Sequence, residues 1–148
     1  MTDIATIMQT SAVIPVLVID DAATAKPLAQ ALVAGGLRVL EVTLRTPAAM
    51  EAIAEMKTVP GAIVGAGTVV NEAQAKAVID AGVEFIVSPG LTERLARPIL
   101  DAGVAYLPGT ATAGDIMRGL DLGLTHFKFF PAETSGGQIG RASCRERV

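Results

Sequence analysis

Six short apolar runs recur along the chain at nearly constant intervals. Successive runs begin 23, 24, 22, 20 and 22 residues apart, at Val16, Val39, Ile63, Phe85, Ala105 and Phe127. The segments between the runs have helical spacing, as in the stripe formed by Ala25, Leu28, Ala29 and Leu32. Fully apolar strands that alternate with helices are typical of a parallel sheet covered by helices. The sequence therefore predicts one α/β domain of about six strand–helix units.

Capping residues mark the ends of most predicted helices. Asn71 and Thr92 are expected to be N-caps, because their side chains can accept hydrogen bonds from free N–H groups of the first turn. Glycines that permit the left-handed turn at a helix end stand before most of the following apolar runs, at Gly35, Gly36, Gly82, Gly103 and Gly123. Two architectures fit this spacing: a doubly wound sheet, or a (β/α)8 TIM barrel that is incomplete here.

Charge and composition argue against several classes of partner and site. The 12 basic and 15 acidic side chains give a net charge of −3, and aromatic residues make up only 3%, so we expect no nucleic-acid or membrane partner. One His and one Cys exclude a disulfide framework and a His/Cys zinc site. No apolar run reaches the roughly 18 residues of a membrane span, and residues 1–10 do not resemble a secretory signal. We therefore expect a cytoplasmic protein.

The last ten residues, 139–148, break the repeating pattern. They carry three Arg, one Glu and the chain's single cysteine, Cys144, and they show no helical stripe. Their back-translation resembles a common sequencing adapter read as coding DNA. We interpret residues 1–138 as the folded domain and 139–148 as a non-native tail, with native sequence ending near Gly137 or Gln138. The alternative is an ordinary basic C-terminal tail.

Lys128 lies inside the aromatic segment HFKFFP at 126–131. Alternation along the predicted strand turns Phe127 and Phe129 towards the helices and Lys128 and Phe130 towards the interior. Burial favours the neutral amine over the ammonium ion, and a neutral amine can attack a ketone to form a Schiff base. The alternative is a lysine with a buried stem whose head reaches water or pairs with a carboxylate.

The second predicted strand carries a polar inner face. Alternation in residues 39–45 turns the apolar side chains towards the helices and leaves Glu41, Thr43 and Arg45 pointing inward. Glu41 can then act as a general acid and base, and Arg45, at the C-terminal end of the strand, can bind a substrate carboxylate. Barrel active sites lie at that end of the strands, which favours this interpretation. Alternatively, Glu41 and Arg45 simply neutralise each other.

Three turns are predicted to lie at the same rim. The GAGT segment at 65–68 lacks the third glycine of a dinucleotide-binding motif, so its glycines are expected to let a ligand approach the backbone. The Thr68 hydroxyl and nearby N–H groups can then bind an anion. For the turns at 88–90 and 108–110, ordinary turn chemistry explains the residues at least as well as ligand contact. His126 has no second His beside it and receives no role.

The motifs together resemble those of one family. EVTLRTP at 41–47, GAGTV at 65–69, SPGLT at 88–92, PGT at 108–110 and FKFFPAE at 127–133 closely resemble the bacterial 2-keto-3-deoxy-6-phosphogluconate (KDPG) and 4-hydroxy-2-oxoglutarate (KHG) aldolases. The resemblance extends from about Ile7 to Gly137. It implies a class I aldolase on a (β/α)8 barrel, usually a homotrimer, that needs no metal or cofactor. The implied reaction cleaves KDPG to pyruvate and glyceraldehyde 3-phosphate, and in many members KHG to pyruvate and glyoxylate.

The resemblance also implies roles for six residues. Lys128 corresponds to the Schiff-base lysine and Glu41 to the general acid and base. Arg45 and Thr68 correspond to ligands of the pyruvate carboxylate. The remaining two residues correspond to positions in the pocket wall, Pro89 and Phe130. The substrate is thus expected to be a small 2-keto acid.

The sequence departs from the family at its C-terminal end. Family members continue through two further strand–helix units, whose glycine-rich loops hold the substrate phosphate. We therefore interpret residues 1–138 as a partial aldolase barrel and name no phosphate-binding residue. We expect the chain alone to aggregate and to show little cleavage, because its first and last strands would lack partners. The alternatives are another phosphosugar-binding barrel enzyme and a fragment or binding module without catalysis.

Overall fold

Strands and helices alternate along residues 3–136, the part of the chain that the computed structural model describes. The predicted domain boundary at 138 and the tail with Cys144 lie outside these residues. None of the described helices has both the length and the hydropathy needed to cross a membrane. The elements in chain order are α1 (Ile4–Thr10), β1 (Val16–Leu17), α2 (Ala25–Ala34), β2 (Val39–Thr43), α3 (Ala49–Lys57), β3 (Ile63–Gly67), α4 (Glu72–Asp80), β4 (Phe85–Ser88), α5 (Glu93–Asp101), β5 (Ala105–Thr110), α6 (Ala113–Asp121) and β6 (Lys128–Phe129). Short 3-10 turns occupy Ala22–Thr24 and Glu133–Ser135.

The six strands form one parallel sheet whose spatial order follows the sequence, from β1 to β6. A doubly wound sheet reverses its strand order at a switch point, whereas a barrel adds each new strand beside the previous one. The observed order excludes the doubly wound alternative within the described residues. The prediction of a TIM-type barrel with about six strand–helix units is confirmed.

Two hydrophobic clusters lie on opposite faces of the sheet. The outer cluster fills the space between sheet and helices, and its strand residues include Leu40, Val42, Val64 and Ile86. The inner cluster contains Val39, Phe85, Val87, Ala105 and Leu107. Strands β2 to β5 thus divide their apolar side chains between the two clusters by simple alternation.

Helix α1 contributes to the inner cluster and was not predicted. Asp3 caps it, because its carboxylate accepts a hydrogen bond of 2.8 Å from the Thr6 N–H. Ile7 is fully buried and packs with Val39 and Phe85, the first residues of β2 and β4. The helix therefore covers the inner face at the N-terminal ends of the strands. Its seven residues are too few to show a clear helical period in the sequence.

The predicted helix ends are confirmed. The side chains of Asn71 and Thr92 accept hydrogen bonds from the N–H groups of Gln74 and Leu95. Gly82, two residues after the last residue of α4, adopts a φ of +69°, the left-handed conformation that ends a helix. These local signals therefore determine where the helices begin and end.

The outermost strands are shorter than predicted. The apolar runs at 16–19 and 127–130 predict four residues in each strand, but only two residues are assigned to β1 and two to β6. Each of these strands pairs with a single neighbour within residues 3–136. Val16, which lies opposite Glu41 in the register, remains 49% exposed. A strand with one partner has fewer ladder hydrogen bonds to extend it, which explains the shorter assignment.

We predict that Ile7→Ala lowers the free energy of unfolding by about 2–5 kcal/mol, because it leaves a cavity under the inner cluster. Gln9→Ala, on the exposed side of the same helix, is the matched control and should change it by no more than about 0.5 kcal/mol. Urea denaturation followed by circular dichroism measures both. Equal effects of the two substitutions would show that α1 does not support the sheet.

Candidate active site

Lys128 and Glu41 meet on the inner face of the sheet. Lys128 begins β6 and Glu41 is the central residue of β2, and the Nζ–Oε1 distance is 3.7 Å. The side chains are 19% and 6% exposed. At this distance the contact is an ion pair rather than a hydrogen bond. The geometry also matches the alternative prediction of a lysine that pairs with a carboxylate, so the contact itself does not choose between the two interpretations.

Aromatic side chains fix the direction of Lys128. Phe127 packs on the opposite, helix-facing side, where a Cβ on Gly119 of α6 would lie only 2.7 Å from the Phe127 Cζ atom. The close approach of Phe127 to α6 therefore requires a glycine. Phe130 shares the side of Lys128, and the Nζ atom lies 5.4 Å from the centre of its ring. The alternation predicted for the sixth strand is thus observed for these three side chains.

The electrostatics of Glu41 suit a group that exchanges protons. Burial raises the pKa of the Glu41 carboxyl above its ordinary value of 4.5, and the positive charges of Lys128 and Arg45 oppose that shift. An amine and a carboxyl this close on a buried face can exchange a proton directly or through one water. The pair can therefore support acid–base chemistry.

Arg45 lies beyond the end of β2 and is exposed. The alternative in which it neutralises Glu41 receives little support, because the cation within 4 Å of Glu41 is Lys128. Thr43, between them, is fully buried and donates its hydroxyl hydrogen to the Leu17 carbonyl at 2.9 Å. Thr43 thus ties β2 to β1, whereas the guanidinium group is accessible to a ligand at the rim.

Thr68 follows β3 in a strained conformation. Its φ of 59° makes it the one non-glycine residue with positive φ among residues 3–136. A threonine in the left-handed region costs of order 1–3 kcal/mol, and such strain is concentrated at functional sites. The strained conformation is thus consistent with a functional role for Thr68. Its contact with a substrate carboxylate stays a prediction.

The two glycines before Thr68 serve a purpose that the sequence analysis did not identify. They were expected to let a ligand approach the backbone. Instead, a Cβ on Gly65 would lie 2.5 Å from the Phe85 ring, and a Cβ on Gly67 would collide with the Glu41 carboxylate. Side chains of the protein itself occupy the space over both glycines. The sequence does contain a signal for this packing: two inward positions of β3 are glycines, and the inward positions of β2 and β4 include the large residues Glu41 and Phe85.

A cleft of about 410 Å³ opens at the C-terminal ends of β3 to β6. Pro89 and Phe130, the two predicted wall residues, both line it, together with Val69, Leu91, Thr110 and Asp115. Lys128 and Glu41 are not among its lining residues. The cleft therefore lies beside the ion pair, because Phe130 both lines the cleft and lies 5.4 Å from the Lys128 Nζ atom.

A buried hydrogen-bond network holds the turn that carries Pro89. The Ser88 hydroxyl lies 2.6 Å from the Tyr106 hydroxyl and 2.7 Å from the Gly90 carbonyl oxygen, to which it donates. A Cβ on Gly109 would lie 2.5 Å from the Pro89 carbonyl carbon, so β5 approaches this turn closely. The motifs at 88–90 and 108–110 are thus explained by packing and turn structure. Sequence reasoning missed Tyr106, because its partner lies on a different strand.

A family model described as "Aldolase: KDPG and KHG aldolase" matches residues 4–140. The chain belongs to this aldolase family. The 2-dehydro-3-deoxy-phosphogluconate aldolase of Zymomonas mobilis is 61% identical over 137 residues, which cover 93% of this chain and 66% of that protein. The chain thus spans just under two thirds of the length of this relative.

Solved structures of KDPG aldolases share the fold. The crystal structure of the Zymomonas mobilis ZM4 aldolase with 3-phosphoglycerate matches with 60% sequence identity and a TM-score of 0.89. The matched region covers 92% of this chain and 65% of the Zymomonas mobilis chain. The Legionella pneumophila aldolase, with pyruvate captured at low pH as a covalent carbinolamine, is 44% identical. Its TM-score is 0.88, with coverage of 93% of this chain and 67% of its own.

Five of the six predicted site residues of this aldolase-family chain fall into two groups, and the sixth, Pro89, lines the cleft. Lys128, Glu41 and Phe130 lie close together on or beside the inner face. Arg45 and Thr68 follow the ends of β2 and β3. Arg45 and Thr68 thus lie at the C-terminal rim of the sheet, where barrel enzymes hold their substrates, whereas Glu41 lies at the middle of β2. No group of three His, Cys, Asp or Glu side chains suited to a metal occurs in residues 3–136.

The raised pKa of Glu41 predicts a pH-dependent stability. A folded-state pKa above 4.5 means that folding favours the protonated carboxyl, so this stabilisation is complete at low pH and is lost as the pH rises through the raised pKa. The wild-type chain should therefore lose stability relative to Glu41→Gln as the pH rises from the ordinary carboxyl value of 4.5 towards neutral pH. Urea midpoints across that range measure the difference.

Lys128→Met provides the matched background for this measurement. Without the lysine charge, which lowers the Glu41 pKa, the pH-dependent loss should extend to higher pH and become larger. In each background, the chain that keeps Glu41 is compared with the chain that carries Glu41→Gln. A stability difference that stays constant with pH in both backgrounds would contradict the assigned electrostatics.

Proposed function

We propose that the chain carries the Schiff-base site of an aldolase that cleaves KDPG to pyruvate and glyceraldehyde 3-phosphate. The observation that carries the proposal is the Lys128–Glu41 pair, 3.7 Å apart and largely buried, in a chain of the KDPG and KHG aldolase family. The Legionella pneumophila relative, whose structure holds pyruvate as a covalent carbinolamine, supports the Schiff-base route.

In the proposed mechanism, Lys128 adds to the C2 carbonyl and loses water to form a protonated imine. The imine accepts the electron pair that is released when the C3–C4 bond breaks. Glu41, acting through a water, removes the proton of the C4 hydroxyl, and this carbon leaves as the aldehyde. Glu41 then protonates the enamine at C3, and hydrolysis of the imine releases pyruvate and restores the amine.

The remaining predicted residues are proposed to hold the substrate. Arg45 is exposed at the rim while Lys128 is largely buried, so a 2-keto acid would place its carboxylate outward and its carbonyl inward. Thr68 would donate its hydroxyl to the same carboxylate. Pro89 and Phe130, which line the adjoining cleft, would form the pocket wall.

We propose KHG as a second substrate, cleaved to pyruvate and glyoxylate. Both substrates yield the same pyruvate half, and the family description names both aldolases. For the whole protein we further propose a cytoplasmic location and a homotrimeric state, as the family resemblance implies.

Borohydride reduction in the presence of pyruvate tests the nucleophile, in a chain extended after Gly137 by the two strand–helix units that the family resemblance implies. The chain should become covalently labelled at Lys128, as peptide mass spectrometry would show. Lys128→Ala should abolish labelling, and Lys128→Arg should do so as well, because a guanidinium stays protonated and forms no imine. Lys26→Arg, on helix α2, is the control that should keep full labelling. Labelling that survives Lys128→Ala would assign the chemistry to another lysine.

Exchange of the pyruvate methyl protons with deuterium tests Glu41 separately. The pyruvate imine loses a methyl proton to form the enamine, which is then deuterated by the solvent-exchanged acid. Glu41→Gln should slow this exchange by about 10²–10⁴-fold, with imine trapping less affected. Proton NMR measures the exchange, and it needs only the pyruvate half of the substrate. A near-normal rate would show that Glu41 is only a counter-ion of Lys128.

A further inference from the structure

Gly67 ends β3 beside the carboxylate of Glu41. It is buried and lies opposite Thr43 in the register between β2 and β3, with Glu41 one inward position earlier. A Cβ on Gly67 would collide with the Oε1 atom of Glu41 and would lie 2.7 Å from both its Cδ and its Cγ. Real Cβ atoms essentially never approach another heavy atom within 3.0 Å. The Glu41 side chain therefore occupies the space that any other residue at 67 would need.

Backbone conformation does not explain this glycine. The φ of Gly67 lies outside the left-handed region, unlike that of Gly36 or Gly82. An alanine could adopt the same backbone without strain. Lack of space for a side chain, and not the backbone conformation, thus explains the glycine at position 67.

The displaced carboxylate would have to leave its present position. All five residues of β2 are buried, so the backbone beneath Glu41 has little freedom to move. The Glu41 side chain would instead rotate and change its 3.7 Å contact with the Lys128 Nζ atom. A misplacement of about 1 Å in a catalytic group is enough to slow a reaction by about 10²-fold.

We propose that Gly67 is a positioning residue, whose missing side chain provides the space in which the Glu41 carboxylate lies beside Lys128. The catalytic part of this inference rests on the proposed Schiff-base function, whereas the spatial part does not. Gly65 provides the matched control. It lies two residues earlier on the same face of β3, and its Cβ would meet the Phe85 ring instead of Glu41.

Thermal unfolding of the full chain tests the spatial part. Gly67→Ala should lower the unfolding midpoint by several degrees, because it overpacks the inner face. The same substitution in a Glu41→Ala background should cost little, because the atoms it collides with are gone. Gly65→Ala should cost the same in both backgrounds. If Gly67→Ala alone prevents folding, recovery of folding in the Glu41→Ala background supports the inference equally.

Two readouts with pyruvate test the catalytic part. Gly67→Ala should slow deuterium exchange of the pyruvate methyl group by about 10²-fold while changing borohydride trapping at Lys128 much less. In a Glu41→Gln background, Gly67→Ala should produce no further loss of exchange, because both substitutions act on the same group. Gly65→Ala should change exchange and trapping in equal proportion.

Two outcomes would overturn the inference. One is an equal loss of stability from Gly67→Ala with and without the Glu41 side chain. The other is a wild-type rate of exchange in Gly67→Ala. If the wild-type chain neither traps pyruvate nor exchanges its protons, the proposed function fails and the catalytic part falls with it. The stability measurement then still decides whether Gly67 makes room for Glu41.

Discussion

The curl of the parallel sheet is the constraint on which the candidate site depends, because it brings Lys128 and Glu41 into contact. An uncompensated charge on the inner face would cost several kcal/mol, so the contact lowers the cost of burying both side chains in their charged forms. In a flat sheet, β2 and β6 would lie about 19 Å apart, since neighbouring strands are spaced by about 4.8 Å. Their side chains approach to 3.7 Å only because the sheet curls. The ion pair therefore depends on the curvature of the sheet.

Local patterns predicted most of the fold. The interval of about 22 residues gave six strand–helix units, and the capping positions of Asn71 and Thr92 agree with the structure. Alternation placed Glu41 inward and Leu40 outward, because the side chains of a strand always change face with each residue. The same rule oriented Lys128. Helix caps and strand alternation depend on residues that are close in the sequence, and they can therefore be predicted from the sequence alone.

Contacts between distant segments could not be predicted in the same way. The strand spacing alone left two architectures open, because pairing joins residues more than 20 positions apart. The family resemblance implied the barrel, and the observed strand order confirms it. Helix α1 was missed, since Ile7 is buried by residues of β2 and β4 rather than by its own helix. The hydrogen bond between Ser88 and Tyr106 likewise joins two strands. In each case the partner has no signature near the residue itself.

The Gly-Ala-Gly segment of β3 shows why a motif needs its backbone angles and neighbours before it receives a role. Glycine-rich turns that bind ligands use the left-handed region or leave the backbone open. Gly65 and Gly67 are outside the left-handed region, and their backbone is covered by the side chains of Phe85 from β4 and Glu41 from β2. The inner face of a curled sheet has little room. Two large inward side chains on neighbouring strands therefore require small inward residues on the strand between them. The glycines on the inner face of β3 thus make the room that the buried Glu41 carboxylate needs. Backbone strain at this rim is confined to the residue after Gly67, which is Thr68.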